Sequence, residues 1–404
     1  MSKTPKLRFK EFSGDWESKR LGNCVEINSG GSPTDILDEN GTIPYFKVEQ
    51  LNNSSKYQVD TPYRISNSKK IITSGSIIFP KRGATIMLNK IRILAQDSFM
   101  DTNLMTLTVK KSSINNEFLY TYLLKENLSK LADTTSIPQI NNKHIEPYEI
   151  NIPSKEEQEK IASFFSLIDD KISLQGEKVE ALKDYKKGMM QKIFSRELRF
   201  KDDDGRDYPE WEEKKLNQLG DTYTGLSGKT KENFGIGDAK YVIYRNVFGN
   251  ILAKEEELDL VEINKGEKQN KVIKGDLLFT TSSETPEEVG MISCWNYDIE
   301  DLYLNSFCFG YRLFNLEQYS PIFMAYLLRS EGYRRKISIL GQGSTRYNIS
   351  KTELMKMKVS VPNIEEQRKI VSLLLGLESN IEKNQEKLDS LKEYKKGLLQ
   401  QMFI

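Results

Sequence analysis

Several places in this 404-residue sequence carry residue types that could do chemistry, and each can be tested by spacing. Gly225-Leu-Ser-Gly-Lys-Thr230 approaches a phosphate loop, but G-x-x-x-x-G-K-[ST] requires glycine where Tyr223 stands. Phe234-Gly235-Ile-Gly237 is a lone G-x-G and specifies nothing. One histidine, His144, would have to serve any Ser/His or Cys/His triad, and no partner pattern accompanies it. Cys24, Cys294 and Cys308 are far apart and odd in number, so they form neither a disulfide framework nor a CxxC zinc pair. No two prolines are adjacent, which excludes the Asn/Asp-Pro-Pro-aromatic motif of amino-methyltransferases. The carboxylates form no recognisable metal cluster. The expectation is that this chain performs no catalysis alone.

Binding chemistry is better represented. Lys+Arg number 59 against 58 Asp+Glu, so a polyanion must be met by a local patch rather than by net charge. Two such patches exist. Thr61 to Gln96 contains no Asp or Glu and holds Arg64, Lys69, Lys70, Lys81, Arg82, Lys90 and Arg92. Gly332 to Thr352 is likewise acid-free and holds Arg334, Arg335, Lys336, Arg346 and Lys351. Basic residues interleaved with Ser, Asn, Gln and Tyr suit phosphate contact combined with base-edge reading.

The elements that must position these patches occur twice. Residues 152–161 (IPSKEEQEKI) return at 361–370 (VPNIEEQRKI), and 182–194 (LKDYKKGMMQKIF) return at 391–403 (LKEYKKGLLQQMF). Without gaps, 18 of the 42 positions from Pro153 to Phe194 are identical in the second copy. Upstream, LRFK at 7–10 recurs at 198–201, and WESKRL at 16–21 recurs as WEEKKL at 211–216. Gly75-Ser-Ile-Ile-Phe79 recurs as Gly275-Asp-Leu-Leu-Phe279. The chain is a variable module and a constant segment, written twice.

Pro153-Ser154 and Pro362-Asn363, followed by acidic residues, are helix starts. Apolar residues then follow a 3–4 spacing through Ile161, Phe165, Ile168 and Ile172, and through Ile370, Leu374, Leu377 and Ile381. This seam predicts a coiled coil. Its polar interruptions fall at matching places, Gln175 with Asn384 and Lys186 with Lys395, which predicts that the two helices pair antiparallel. The variable parts carry short β-like runs, then a helix near Glu117–Leu131 and another near Pro321–Ser330. The predicted fold is α+β. Mixed α/β modules occupy 1–152 and 196–361, long helices occupy 153–195 and 362–404, and a pseudo-twofold repeat relates the copies. The first residues have no apolar signal-peptide core, and no stretch approaches a membrane span, so a cytoplasmic protein is expected.

Two divergent modules alternate with two helical segments opening on I/V-P-x-x-x-E-Q-x-x-I. The motif comprises Ile152, Pro153, Glu157, Gln158 and Ile161, then Val361, Pro362, Glu366, Gln367 and Ile370. This pattern resembles the specificity (S) subunit of type I restriction-modification systems, over essentially the whole chain. Gly41-Thr-Ile-Pro-Tyr45 and Gly343-Ser344-Thr345 before Ile349 fit it, whereas Thr135-Ser136-Ile137-Pro138-Gln139-Ile140 departs from it. The resemblance implies two target-recognition domains, each reading half of a split double-stranded DNA sequence. It implies helices that space the halves and dock two methyltransferase (M) subunits, with restriction (R) subunits completing a nuclease. S-adenosylmethionine would be bound by M, with ATP and Mg on R, and no cofactor or metal by this chain. The rival reading is a coiled-coil adaptor whose modules bind proteins.

Residues expected at DNA in the first module are Lys47, Gln50, Lys81, Arg82, Ser136 and Gln139. In the second they are Arg245, Asn246, Thr280, Ser282, Ser283, Gln342, Ser344, Arg346 and Tyr347. Arg and Gln are the stronger candidates, because both can bond bidentately to base edges. For docking M, the expected residues are Glu157, Gln158, Tyr185 and Lys187, with Glu366, Gln367, Tyr394 and Lys396. They recur in both copies and lie off the seam, on helix faces expected to be exposed.

Overall fold

A computed structural model describes residues 4–32, 37–66, 70–110, 114–133 and 137–404. The chain divides into two compact units. Unit 1 comprises Met1–Lys178 with Asn384–Ile404, and unit 2 comprises Val179–Lys383. Each unit therefore contains one module and a stretch of both long helices.

Unit 1 opens with Glu17–Arg20 pairing antiparallel with Glu149–Ile152, the strand that leads into the first long helix. A five-stranded sheet follows, ordered Val25–Ser29, Leu104–Val109, Ile77–Pro80, Arg92–Leu94, Tyr57–Gln58. A three-stranded sheet is ordered Arg64–Ile65, Ile43–Phe46, Phe99–Met100, the last pair being parallel. Ile77 and Ile78 are paired on both sides and Phe79 on one, and all three are buried, which suits an unbroken apolar run. Gly75 turns the chain into that strand at φ 81°, a left-handed conformation open to glycine.

Unit 2 repeats the plan. Glu212–Lys215 pairs with Lys358–Val361. A four-stranded sheet runs Gly220–Thr224, Cys308–Leu313, Leu277–Thr280, Ile292–Cys294. A three-stranded sheet runs Leu258–Val261, Phe234–Val242, Leu302–Leu304, again with its last pair parallel. Gly275 at φ 92° precedes the central strand, as Gly75 does. Unit 2 also contains a three-stranded ribbon, Ser282–Ser283, Tyr347–Ile349 and Gly341–Gln342, and a helix, Glu331–Ser338. Among the described residues of unit 1 the ribbon's counterpart is a pair of isolated bridges, Arg82–Gln139 and Asp133–Gln139.

The module helices start on side-chain caps. Asn115 Oδ1 accepts the Phe118 N–H at 3.0 Å, and Ser320 Oγ accepts the Phe323 N–H at 3.3 Å, with Pro321 in the first turn. The long helices span Lys155–Phe194 and Ile364–Met402, 40 and 39 residues. They pair antiparallel as the seam predicts. Within unit 1, Gln175 Nε2 donates to the Asn384 carbonyl at 2.9 Å and to its Oδ1 at 3.1 Å, and Lys395 pairs with Asp169 at 2.5 Å. Within unit 2, Lys186 pairs with Glu378, which also accepts from the Tyr326 hydroxyl. Asp169 and Glu378 occupy equivalent positions, so the same ion pair is made twice with the copies exchanged. Gln175 instead meets its own counterpart.

A polar pair in an apolar seam fixes register while lowering stability. Replacing Gln175 and Asn384 together with leucine is therefore expected to raise the urea midpoint of unit 1. A lowered midpoint would show that the pair stabilises rather than specifies.

Both units use a long helix end as part of their core. Leu398, Met402 and Phe403 join the unit 1 core beside Trp16, Phe118 and Phe165. Ile193 joins the unit 2 core beside Trp211 and Phe323. Leu7 N–H donates to the Gln401 carbonyl at 2.9 Å, as Leu198 N–H does to Lys192 at 2.9 Å, so LRFK is held at a helix end the same way twice.

Candidate nucleic-acid interface

Each module brings three loops together at the end of its central strand. In the first, Lys81 N–H donates to the Asn103 carbonyl at 2.8 Å, and Ile140 N–H donates to the Lys81 carbonyl at 2.8 Å. Arg82 and Gln139 form an isolated β-bridge, and Gly83 N–H reaches the Pro138 carbonyl at 2.9 Å. In the second module, Thr281 N–H donates to Phe307 at 2.9 Å, and Ile349 N–H donates to Thr281 at 2.9 Å. A fourth loop joins through Asp101 N–H to the Phe46 carbonyl at 2.9 Å, matched by Asn305 N–H to Val242 at 3.0 Å. The same platform is thus built from different side chains.

On the first platform Lys81, Arg82, Gln139 and Lys47 come together. Arg82 is exposed, while Lys81 is half-buried. Burial lowers the Lys81 amine from its ordinary value, against the opposing pull of Asp101. Lys47 Nζ lies 3.5 Å from the centre of the Tyr63 ring. On the second platform Arg245, Gln342, Ser344 and Arg346 are exposed and Tyr347 is half-buried. Ser136 lies outside the described residues.

Five of the expected DNA contacts are instead buried frame. Gln50 Oε1 caps the Lys47 N–H at 2.9 Å. Asn246, at the corresponding place, accepts the Lys254 N–H at 2.8 Å and donates to the Lys254 carbonyl at 2.7 Å. Thr280 Oγ1 accepts the Met291 N–H at 2.9 Å. Ser282 and Ser283 are ribbon residues paired with Asn348 and Tyr347, and Ser283 Oγ donates to Glu288 at 3.2 Å. Their polar atoms hold the loops that carry the exposed residues.

The basic stretches also divide. Arg92 donates to the Ser54 carbonyl at 2.7 Å and the Leu51 carbonyl at 2.8 Å, pinning the loop behind Lys47. Arg334 holds the carbonyls of Glu287, Val289 and Gly290. Arg329, which spacing did not single out, donates to those of Val247, Phe248, Asn250 and Ile292. Burial lowers Arg329 and Arg334 to about 10. These guanidiniums satisfy buried carbonyls and are unavailable to a polyanion.

The recurrent Glu-Gln motif is likewise internal, which corrects the expectation that Glu157, Gln158, Glu366 and Gln367 are exposed. Glu157 is 1% exposed, Gln158 2%, Glu366 0% and Gln367 0%. Arg8 grips Glu157 through two bonds of 2.8 and 2.7 Å, and Arg199 grips Glu366 through two of 3.3 and 2.9 Å. Gln158 accepts the Asn115 N–H at 2.8 Å and donates to Pro153 at 2.9 Å. Gln367 accepts the Ser320 N–H at 2.8 Å and donates to Pro362 at 2.8 Å. The motif thus ties the long helix to LRFK and to the capping residue of the module helix. Tyr185, Lys187, Tyr394 and Lys396 are exposed.

The remaining chemical candidates are accounted for structurally. Lys229 of the near-phosphate loop is buried and paired with Glu267 at 2.6 Å, and its hydrogen bond helps lower that carboxyl to about 2. His144 Nδ1 accepts the Asn141 N–H at 3.2 Å, capping a short turn. All three thiols are buried, and desolvation pushes Cys294 up to about 12. Among the described residues, no helix is long and apolar enough to cross a membrane.

Comparison with known proteins places the whole chain. The family described as "Type I restriction modification DNA specificity domain" matches residues 13–184 and 208–393. The specificity subunit of the type I restriction enzyme MjaVIII of Methanocaldococcus jannaschii is 28% identical over 415 residues, covering 97% of this chain and 94% of that protein. The putative MjaX specificity subunit of the same organism is 24% identical, covering 98% and 94%. The fold is shared with the crystal structure of the type I S subunit from M. genitalium, at 17% identity, TM-score 0.57 and 99% of both chains. It is shared too with a chain from a study of complex assembly and conformational transition of the type I system, at 17% identity, TM-score 0.60 and 95% and 96% coverage. With two matched domains spanning most of its length, the chain belongs to the type I restriction-modification specificity-subunit family.

Proposed function

We propose that this chain is the DNA-reading subunit of a cytoplasmic type I restriction-modification complex and performs no catalysis itself. Each module reads one half of a split duplex target. The helix pair separates the two readers and receives two M subunits at the exposed faces near Tyr185 and Lys187 and near Tyr394 and Lys396. R subunits complete the nuclease. S-adenosylmethionine belongs to M, and ATP and Mg belong to R.

The observation that carries this reading is the platform built twice from the same backbone hydrogen bonds, each bearing an exposed Arg beside an amide, half-buried Gln139 on the first and exposed Gln342 on the second. Backbone contacts would fix each module on the duplex, and side chains such as Arg82, Gln139, Gln342 and Arg346 would read base edges. Methylation mapping tests it. A split methylated adenine motif should vanish when this chain is deleted, and an unchanged methylome would sink the reading.

Within that function, Arg82→Ala and Arg346→Ala are each expected to weaken binding of target DNA by the assembled complex. A lost phosphate contact lowers the slope of log K against log salt by about 0.9, whereas a lost base contact costs about 1–3 kcal/mol at its position. Wild-type affinity and salt slope in either variant would remove that residue from the interface.

A further inference from the structure

The tip of the turn between Phe99–Met100 and Leu104–Val109 differs from its counterpart between Leu302–Leu304 and Cys308–Leu313. Both turns are built alike. Asn103 N–H donates to Asp101 Oδ1 at 2.7 Å, and Phe307 N–H donates to Asn305 Oδ1 at 2.8 Å. Both tip carbonyls accept from the residue just past the central strand, Lys81 or Thr281. Asn103 and Phe307 are therefore the same position in two copies, carrying an amide in one and an aromatic ring in the other.

Phe307 is 57% exposed. Its backbone is held on both sides by hydrogen bonds, so the ring is presented by a fixed turn rather than by a loose one. Thr281 ties this tip to the ribbon strand Tyr347–Ile349, bonding Phe307 through its N–H and Ile349 through its carbonyl, and the Arg346 guanidinium lies 5.9 Å from the ring centre. An exposed aromatic side chain in such a setting contributes nothing to phosphate binding.

We propose that Phe307 is a specificity-determining residue of the second module, making apolar contact with a thymine methyl group in the half-site that module reads. The proposal rests on the DNA-reading function above. The C5-methyl of thymine is the apolar group that base pairs display in the major groove, and Phe is among the side chains that meet it. Arg346 lies over one face of the ring. Insertion between two bases needs both faces, so a ring with a cation on one side is placed to meet a methyl with its edge or its open face, beside a cation for phosphate or guanine. At the equivalent tip Asn103 offers a donor and an acceptor, which suits adenine. The two modules thereby read different half-sites from one scaffold.

The test uses the complex assembled with its methyltransferase partner, on a duplex carrying the motif defined by methylation mapping. Each thymine of the second half-site, on either strand, is replaced in turn by uracil, which removes the methyl and keeps the pairing. Wild type should lose about fourfold in affinity at one such position, the worth of one buried methyl. F307A should bind the thymine and uracil duplexes equally there while keeping its discrimination in the first half-site. Indifference of the wild type to every uracil, or retained sensitivity in F307A, overturns the assignment of Phe307. Binding that is independent of both salt and sequence for every duplex would overturn the DNA-reading function itself, a result separable from the first two.

Discussion

Phe403→Ala should destabilise unit 1 by about 3–5 kcal/mol, the usual range for truncating a fully buried phenylalanine. Phe403 lies just past the second long helix, where fraying would be the default. Instead it is 3% exposed and inserted among four aromatic side chains. Its ring centre lies 6.2 Å from Trp16, 5.4 Å from Phe118, 5.7 Å from Tyr122 and 5.9 Å from Phe165. The Trp16 and Tyr122 contacts are edge-to-face, at 86° and 83°, the geometry aromatic pairs favour. Truncation leaves a void walled by large rings anchored on two helices and, for Trp16, just ahead of a strand, so collapse into it is limited. Trp16 is the tryptophan of unit 1, while Trp211 and Trp295 belong to unit 2. Urea unfolding followed with the tryptophans of one unit replaced by Phe therefore separates the two. The expected result is a large midpoint loss for the Trp16 signal and a small one for the others. Phe194, at the matching place, is half-buried against Phe323, and Phe194→Ala should cost unit 2 less. A Trp16 midpoint unmoved by Phe403→Ala would mean that the helix end is not part of the unit 1 core.

The organisation was legible because a repeat and a heptad seam are properties of the sequence itself. Residues 152–161 and 361–370 announce the copies, and Gln175 facing Asn384 follows from polar interruptions at matched seam positions. The direction of individual polar side chains was not legible. Gln50 and Asn246 look like surface amides in acid-poor loops, yet each turns inward to cap backbone that no local pattern reveals. Arg334 and Arg346 lie in one acid-free stretch, but only the second is exposed, because Arg334 sits on a helix facing the carbonyls of 287–290. Glu157 and Glu366 were misplaced for a similar reason. Recurrence in both copies marks any shared constraint, internal or external. A clue was available, since a basic LRFK and an acidic Glu-Gln recur in the same order, and opposite charges repeated together are candidates for each other.

That pairing carries the other large effect. Arg199→Ala should destabilise unit 2 by about 3–5 kcal/mol, the cost of leaving a buried carboxylate without its partner. Glu366 is fully buried and accepts from Arg199 twice and from Trp211 Nε1 at 3.2 Å, whereas Arg199 keeps 20% of its side chain in solvent. Donating hydrogen bonds to Glu366 holds the guanidinium above its ordinary value. Arg199 also bonds the carbonyls of Tyr208 at 3.2 Å and Pro209 at 2.6 Å, so it staples the segment leading into the second module. Removing the two partners is therefore unequal. With Glu366→Gln, Arg199 retains two carbonyls, Glu210 and access to water, and the amide can still accept, so the loss should be clearly smaller. The double variant Arg199→Ala/Glu366→Gln should recover much of what Arg199→Ala loses, because no charge is then stranded. Arg8→Ala offers the same experiment in unit 1. Among the described residues Trp16 Nε1 finds no acceptor, so Glu157 depends on Arg8 more completely than Glu366 does on Arg199. The Arg8→Ala loss should then match or exceed that of Arg199→Ala. Equal, small losses from all three single substitutions, with no recovery in the double variant, would reduce the motif to surface ion pairing. The internal clamp would then fail as the reason for its recurrence.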